Sequence, residues 1–267
     1  MTLRLEEIEL FLLDMDGTFY LGDQLLPGAL DFVKTIKAQA KRFIFLTNNS
    51  SKSQSEYAAK LKRLGVDVQQ DDIFTSGEAT AIFIRERYGM SKVYLIGTRS
   101  LAETFESYGH EVVTENPQIV VLGYDTQVNY EKLARGCLFL RKGLDYIATH
   151  PDINCPSLEG PVPDAGSFIA LIERSTGRKP DFIVGKPNPL MLQMIAKKTG
   201  TKPEKIAMVG DRLYTDMEFA RRSKIFSVLV LSGETTLEDL KSADWKPDLV
   251  LENIGELAKM LKGGSVA

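Results

Sequence analysis

Cysteine is almost missing from this chain. Two occur in 267 residues, Cys137 and Cys155, with neither a CxxC pair nor clustered histidine, so neither a disulfide scaffold nor a zinc site is implied. No apolar run approaches the roughly 18 to 20 residues that span a bilayer, and Arg4, Glu6, Glu7 and Glu9 leave no room for a signal-peptide core. The expected location is the cytoplasm, with no membrane partner. A concentrated basic block is also lacking: 33 Lys and Arg stand against 36 Asp and Glu, a net charge of −3, which argues against nucleic acid as a partner. No internal repeat or low-complexity linker is found. Charged residues at 26% and hydrophobic residues at 43% exclude a disordered or collagen-like chain, and the length suits one large or two moderate domains.

What is present is alternation. Short runs rich in Val, Ile, Phe and Leu read as buried parallel strands over 8–13, 42–47, 93–96, 119–122, 182–184, 206–209 and 226–231. Between them, amphipathic stretches predict helices over 27–40, 52–64, 78–88, 130–141, 189–198 and 216–222. Ser51 is a candidate cap for the second, Gly65 its stop, and Asn188-Pro189 places a cap before an N1 proline. The class is α/β, a doubly wound parallel-sheet core of Rossmann-like kind. The polar groups that look chemical sit at 14–18, 47–50 and 186–216, leaving about a hundred residues between with their own βαβ pattern. An inserted smaller α/β domain over 80–181, within a core of 1–79 and 182–267, is the economical reading.

Four strand ends carry the chemistry. The first strand runs into Asp14-Met-Asp16-Gly17-Thr18, two carboxylates one residue apart, where open α/β sheets bind ligands. Residues two apart on an extended segment point the same way, so both can face one pocket while Gly17 allows a sharp exit. A plain surface turn would also place Asp-Gly here. A calcium loop fits badly, because its glycine position falls on Phe19 and its closing glutamate on Leu25. The second strand ends in Thr47-Asn48-Asn49-Ser50-Ser51, whose hydroxyl, amide and backbone N–H groups suit phosphate oxygens, or serve only as a helix cap. Lys186 lies between Gly185 and Pro187, with the backbone after it restricted. Finally Val209-Gly210-Asp211-Arg212-Leu213-Tyr214-Thr215-Asp216 offers two carboxylates able to hold Mg²⁺, although Asp216 beside a Thr215 cap would also complement a helix dipole.

In order, Asp-Met-Asp-Gly-Thr, Leu-Thr-Asn, Gly-Lys-Pro and Gly-Asp-Arg-Leu-Tyr-Thr-Asp resemble the four motifs of the haloacid dehalogenase superfamily. The spacing, Thr-Asn-Asn-Ser-Ser, and the large insertion resemble its p-nitrophenyl phosphatase and NagD-like branch over essentially the whole chain. That resemblance implies a phosphatase acting on small-molecule phosphomonoesters, with Asp14 as nucleophile in an aspartyl-phosphate mechanism and Asp16 as general acid and base. It further implies Mg²⁺ held by Asp14, the Asp16 carbonyl and Asp211, with Asp216 behind them, and phosphate held by Asp14, Thr47, Asn48 and Lys186. Residues 80–181 would be an α/β cap, with the segments 122–125, 148–152 and 163–168 bearing His150, Asp164, Gly166 and Ser167 toward substrate, although a lone His150 beside Pro151 also reads as a structural histidine. A cap-mediated homo-oligomer is compatible with it.

Asp16 favours phosphatase over dehalogenase. A phosphomutase of the same superfamily and a phospho-accepting signalling or binding protein stay open as alternatives. The signalling domain would need an acidic pair before its acceptor and only about 120 residues, and the mutase a smaller, helical cap.

Overall fold

The computed structural model describes residues 5–157 and 159–263, so Arg4 lies outside the described residues. The chain makes two compact units, one within residues 1–46, 57–74 and 187–267, the other within 47–56 and 75–186. Among the described residues no helix is long and apolar enough to cross a membrane.

In the first unit a six-stranded sheet runs in the order Leu249–Leu251, Phe226–Val230, Ile206–Gly210, Leu10–Leu13, Arg42–Thr47, Ile73–Thr75. Leu10–Leu13 pairs in parallel with Arg42–Thr47 on one side and with Ile206–Gly210 on the other, Leu13 opposite both Phe45 and Val209. Its four residues Leu-Phe-Leu-Leu are all buried, as a strand covered on both faces demands. The chain leaves this strand to one side first and returns on the other, so the order reverses between Leu10–Leu13 and Ile206–Gly210. In doubly wound sheets that reversal opens a crevice at the carboxyl ends, and Asp14 and Asp211 both follow strands that border it.

Helix Ala29–Ala38 buries Ala29, Phe32, Val33 and Ile36, one stripe at helical spacing. Phe32 meets Phe11 edge to face at 5.7 Å, and Phe19 meets Phe45 at 4.8 Å. Each such buried ring contributes about 1.5–3 kcal/mol through apolar burial. The start of this helix touches that of Ile254–Leu261 backbone to backbone: a Cβ on Gly28 would lie 2.1 Å from Gly255 Cα.

The second unit holds a five-stranded sheet, Phe182–Ile183, Asp145–Ala148, Ile119–Leu122, Lys92–Ile96, Glu111–Val112, every pairing parallel. Tyr94, Ile96, Val120, Leu122, Leu140, Tyr146 and Ile172 form its core together with Cys137, a buried free thiol. Helix N-caps are side chains of the expected kind: Thr75 accepts from Glu78 N–H, Thr98 from Leu101, Asn129 from Lys132 and Asp164 from Ala165.

Two caps differ from expectation. The helix read from residue 52 begins at Gln54, and Ser53, not Ser51, closes it: Ser53 Oγ accepts from Glu56 N–H at 3.3 Å while Glu56 Oε2 accepts from Ser53 N–H at 2.7 Å. Ser51 instead gives its hydroxyl proton to Asn49 Oδ1 at 2.7 Å. Thr215 caps nothing, because Leu213–Met217 is a π-turn that runs straight into helix Glu218–Ser223. Asn188 does cap as read, Oδ1 accepting from Leu190 N–H at 3.1 Å across Pro189.

Candidate active site

The first unit brings three carboxylates together. Asp14, Asp211 and Asp216 each offer an oxygen within 4.8 Å of the others, Asp14 half-buried and the other two buried. Asp14 is held in line with the sheet by its N–H, which donates to Val209 O at 2.9 Å. Beyond it Met15 is buried and Asp16 is exposed, and the chain then folds back sharply, Gly17 N–H donating to Tyr20 O at 2.9 Å. Gly17 has φ +83° and sits so close to Asp211 that a Cβ would lie 2.5 Å from Oδ2. Only glycine satisfies both requirements.

Asp211 is tied down on each oxygen. Oδ1 accepts from Thr18 Oγ1 at 3.2 Å, and Oδ2 from Glu234 N–H at 2.8 Å. Burial, and then the Asp216 carboxylate beside it, push its pKa up to about 6 against those hydrogen bonds and the nearby Arg212 charge. Asp216 Oδ2 accepts from Arg212 N–H at 3.3 Å, and Gly210 leaves room for it, since a Cβ there would meet Asp216 Cβ at 2.3 Å. Burial works against the Arg212 charge, but Asp14 first, then Asp216, Asp211 and Glu234, hold its guanidinium firmly protonated. Its Nε lies 2.9 Å from Glu234 Oε2, an ion pair lacking hydrogen-bond alignment. Three clustered carboxylates with one guanidinium leave net negative charge in a poorly solvated place, and all-oxygen donors of this kind suit a hard divalent cation.

The second unit organises the other predicted residues. Thr47, Asn48 and Lys186 are all buried. Asn48 clips the lysine by both ends of its amide: Oδ1 accepts from Lys186 N–H at 2.9 Å and Nδ2 donates to Lys186 O at 2.9 Å. The same Nδ2 lies 3.1 Å from each Asp152 carboxylate oxygen. The Asn48 side chain is thereby occupied in holding protein groups. Thr47 Oγ1 accepts from Asn49 N–H at 3.1 Å. His150 is fully buried, with Nε2 2.9 Å from Asp164 Oδ1 and Nδ1 2.9 Å from Thr149 Oγ1. Burial disfavours its charge, yet the Asp164 hydrogen bond and charge, with Asp152 beyond, outweigh that and Lys186, so its pKa lies above the ordinary histidine value. Gly166 N–H donates to Asp152 O at 2.7 Å, and a Cβ there would meet Pro151 O at 2.3 Å. Ser167 Oγ donates to Ile153 O at 2.7 Å.

Sequence reading quoted Thr18 and Arg212 within their motifs without giving either a role, and passed over the Ser232-Gly233-Glu234 loop. Gly233 faces Asp211 so closely that a Cβ would lie 2.0 Å from Oδ2, and Ser232 Oγ donates to Gly17 O at 2.8 Å. A signal existed, because this small polar run follows the strand Phe226–Val230 just as the other four follow theirs.

Two family models match the chain, a haloacid dehalogenase-like hydrolase over residues 11–111 and a HAD-hydrolase-like domain over 183–257. The structure of a 4-nitrophenylphosphatase from Thermotoga maritima superposes with a TM-score of 0.94 at 58% identity, covering 96% of this chain and 98% of that one. NagD from E. coli K-12 gives 0.87 at 30% identity over 93% and 98%. A 5'-nucleotidase, YutF, of Bacillus subtilis is 33% identical over 92% of this chain and 96% of its own. This chain belongs to the haloacid dehalogenase-like hydrolases, in their NagD and p-nitrophenylphosphatase branch.

Proposed function

We propose that the protein hydrolyses small-molecule phosphomonoesters with Mg²⁺ through an aspartyl-phosphate on Asp14. The observation that carries this reading is the cluster of Asp14, Asp211 and Asp216 at the reversal of strand order. The relatives named as phosphatase and nucleotidase support the reaction class.

The chemistry asks for both parts of the motif set. Uncatalysed phosphomonoester hydrolysis is so slow that enzymes accelerate it by up to about 10²¹, nearly 29 kcal/mol. A carboxylate approaching a phosphate dianion at about 4 Å meets about 4 kcal/mol of repulsion per unit charge at an effective dielectric near 20, hence about 8 in total. Cationic groups must offset this. Asp14, the Asp16 carbonyl and Asp211 would hold Mg²⁺, with Asp216 orienting them, and the bound ion would supply charge neutralisation at the phosphoryl oxygens. Lys186 supplies a second positive charge. Thr47, through its hydroxyl, and Asn48, through its backbone, hold the transferring oxygens.

Asp14 attacks phosphorus in line, forming the acyl-phosphate bond as the ester P–O bond breaks, and Asp16 gives its proton to the departing alkoxide. Asp16, now ionised, takes a proton from the water that attacks the acyl-phosphate, which returns Asp14 and releases inorganic phosphate. Residues 80–181 serve as the cap that excludes bulk water and restricts substrates to compact esters; Gly166 and Ser167, expected on a loop, lie in the first turn of helix Ala165–Thr176 and would face substrate from there. The enzyme works in the cytoplasm.

The test is Mg²⁺-dependent release of p-nitrophenol. Asp14→Asn lowers turnover by at least about 10³-fold and Asp16→Asn by about 10²–10⁴-fold. In Asp16→Asn, intact mass after brief exposure to substrate shows one added phosphoryl group. Near-normal turnover in either folded variant overturns the role assigned to it.

A further inference from the structure

We infer that His150 is a positioning residue: its buried ring, anchored by Asp164, fixes Asn48 and the Gly185–Lys186 turn through Ser76 and Thr149, and so sets the place from which Lys186 acts. This rests on the functional reading of Lys186 given above and goes beyond it.

The path is continuous in hydrogen bonds. Asp164, itself tied to Ala165 N–H at 2.5 Å at the start of a helix, lies 2.9 Å from His150 Nε2. On the other side of the ring Nδ1 is 2.9 Å from Thr149 Oγ1 and 3.4 Å from Ser76 Oγ. Ser76 Oγ donates to the Asn48 carbonyl in a short hydrogen bond. Thr149 O accepts from Gly185 N–H at 2.7 Å, and Asn48 then clips Lys186 at both backbone groups. Gly185 is packed between these parts: a Cβ would lie 2.6 Å from Thr149 O, 2.8 Å from Asn48 Oδ1 and 2.9 Å from His150 Cβ.

Proton counting shows what the ring contributes. The one hydroxyl proton of Ser76 goes to Asn48 O, so toward His150 that oxygen accepts. A proton on Nε2 serves Asp164, and one on Nδ1 would serve Ser76 Oγ, while Thr149 Oγ1, which also lies 3.1 Å from Ser50 Oγ, can either accept from Nδ1 or donate to it. The ring spans three partners, with the charges of Asp164 and Asp152 facing it favouring the second proton and that of Lys186 opposing it. The other histidine is different. His110 Nδ1 accepts from Ser91 N–H at 3.3 Å and Nε2 donates to Ala81 O at 2.9 Å, which needs a single proton. Its bonds end on backbone that holds no predicted site residue.

A lysine displaced by about 1 Å loses on the order of 10²-fold, and that is the effect to look for. Calorimetric titration of inorganic phosphate into the Mg²⁺-loaded protein compares the wild type with His150→Asn, His150→Gln, Ser76→Ala, Lys186→Ala and the His150→Asn/Lys186→Ala pair, each checked for fold by circular dichroism. His150→Asn weakens phosphate by about 10- to 100-fold. His150→Gln, which keeps one donor, recovers part of the loss, and Ser76→Ala moves in the same direction as His150→Asn. The double variant binds no more weakly than Lys186→Ala alone, because one effect acts through the other. Folded His150→Asn with wild-type affinity, or losses that simply add in the double variant, would falsify the positioning role while leaving the phosphatase reading intact. Should His150→Asn not fold, wild-type affinity in Ser76→Ala overturns the positioning role equally. Wild-type phosphate affinity in Lys186→Ala removes the reading of Lys186 and this inference with it.

Discussion

At the scale of single residues, the carboxylate cluster depends on side chains that are missing as much as on those present. Gly17, Gly210 and Gly233 each stand where a methyl group would overlap Asp211 or Asp216. Gly233→Ala must therefore move Asp211, and it is expected to weaken Mg²⁺ by about 10–100-fold, the usual cost of disturbing what orients a ligand. Titration calorimetry with MgCl₂ measures this, and an unchanged far-UV spectrum separates it from unfolding. Asp14 and Asp211, which the structure brings into one cluster, were marked in the sequence because each is an ionisable group at the end of an apolar run. The contacts of Thr18 and Gly233 were not, although each lies in a polar run after a strand: both meet Asp211, which is 193 positions from Thr18 in the chain, and no local pattern names such a partner.

At the scale of elements, caps and ion pairs decide where helices start and how firmly they hold. Helix Glu218–Ser223 is short, and Glu218 is bound by Arg221 Nε at 2.6 Å and Arg222 Nε at 2.6 Å. The hydrogen bond from Arg221, with that from Arg222 and both charges, lowers the Glu218 pKa from the ordinary glutamate range to about 2. A carboxyl depressed in the folded state stabilises above its unfolded pKa, and that contribution fades as pH falls through about 2. Both arginines are half exposed, so the expected size is only about 0.5–1 kcal/mol. Glu218→Gln should unfold more easily than wild type in urea at pH 7, with the gap closing toward pH 2 and at high salt. A gap that persists at low pH would assign the effect to packing.

The long, strongly apolar strands were readable, as were the helices over 130–141 and 189–198, because periodicity extends over enough residues to show. Short or weakly patterned elements were not. Strands Ile73–Thr75, Asp145–Ala148 and Leu249–Leu251 are three or four residues each, and helix Ala165–Thr176 carries Gly166, a weak helix former, in its first turn. The cap at Ser53 was missed because Ser50, Ser51 and Ser53 all offer the same hydroxyl. Only the Glu56 side chain reaching back selects among them.

At the scale of the whole molecule, a divalent cation bound by the folded protein and not by the unfolded chain must stabilise it. Mg²⁺ at about a hundred times its dissociation constant is worth about 2.7 kcal/mol. A rise in Tm on adding MgCl₂, reversed by EDTA and abolished in Asp211→Asn, is the expected result. EDTA should silence p-nitrophenol release over the same concentrations. A Tm indifferent to Mg²⁺ while activity still required it would move the ion's site away from Asp211.

By itself the order of residues determined the α/β class and marked the strand ends that carry acids, hydroxyls and a lysine. These are local properties, apolar runs at the spacing of buried strands and polar groups immediately after them. Tertiary structure alone decided which strand ends share a unit, that Asp216 joins Asp14 and Asp211 with oxygens within 4.8 Å of one another, and that Asn48 spends its amide on Lys186 and Asp152. The reason is that sheet order, backbone approach and hydrogen-bond partnership are settled between segments far apart in the chain, where identical side chains have many partners to choose from and packing admits one.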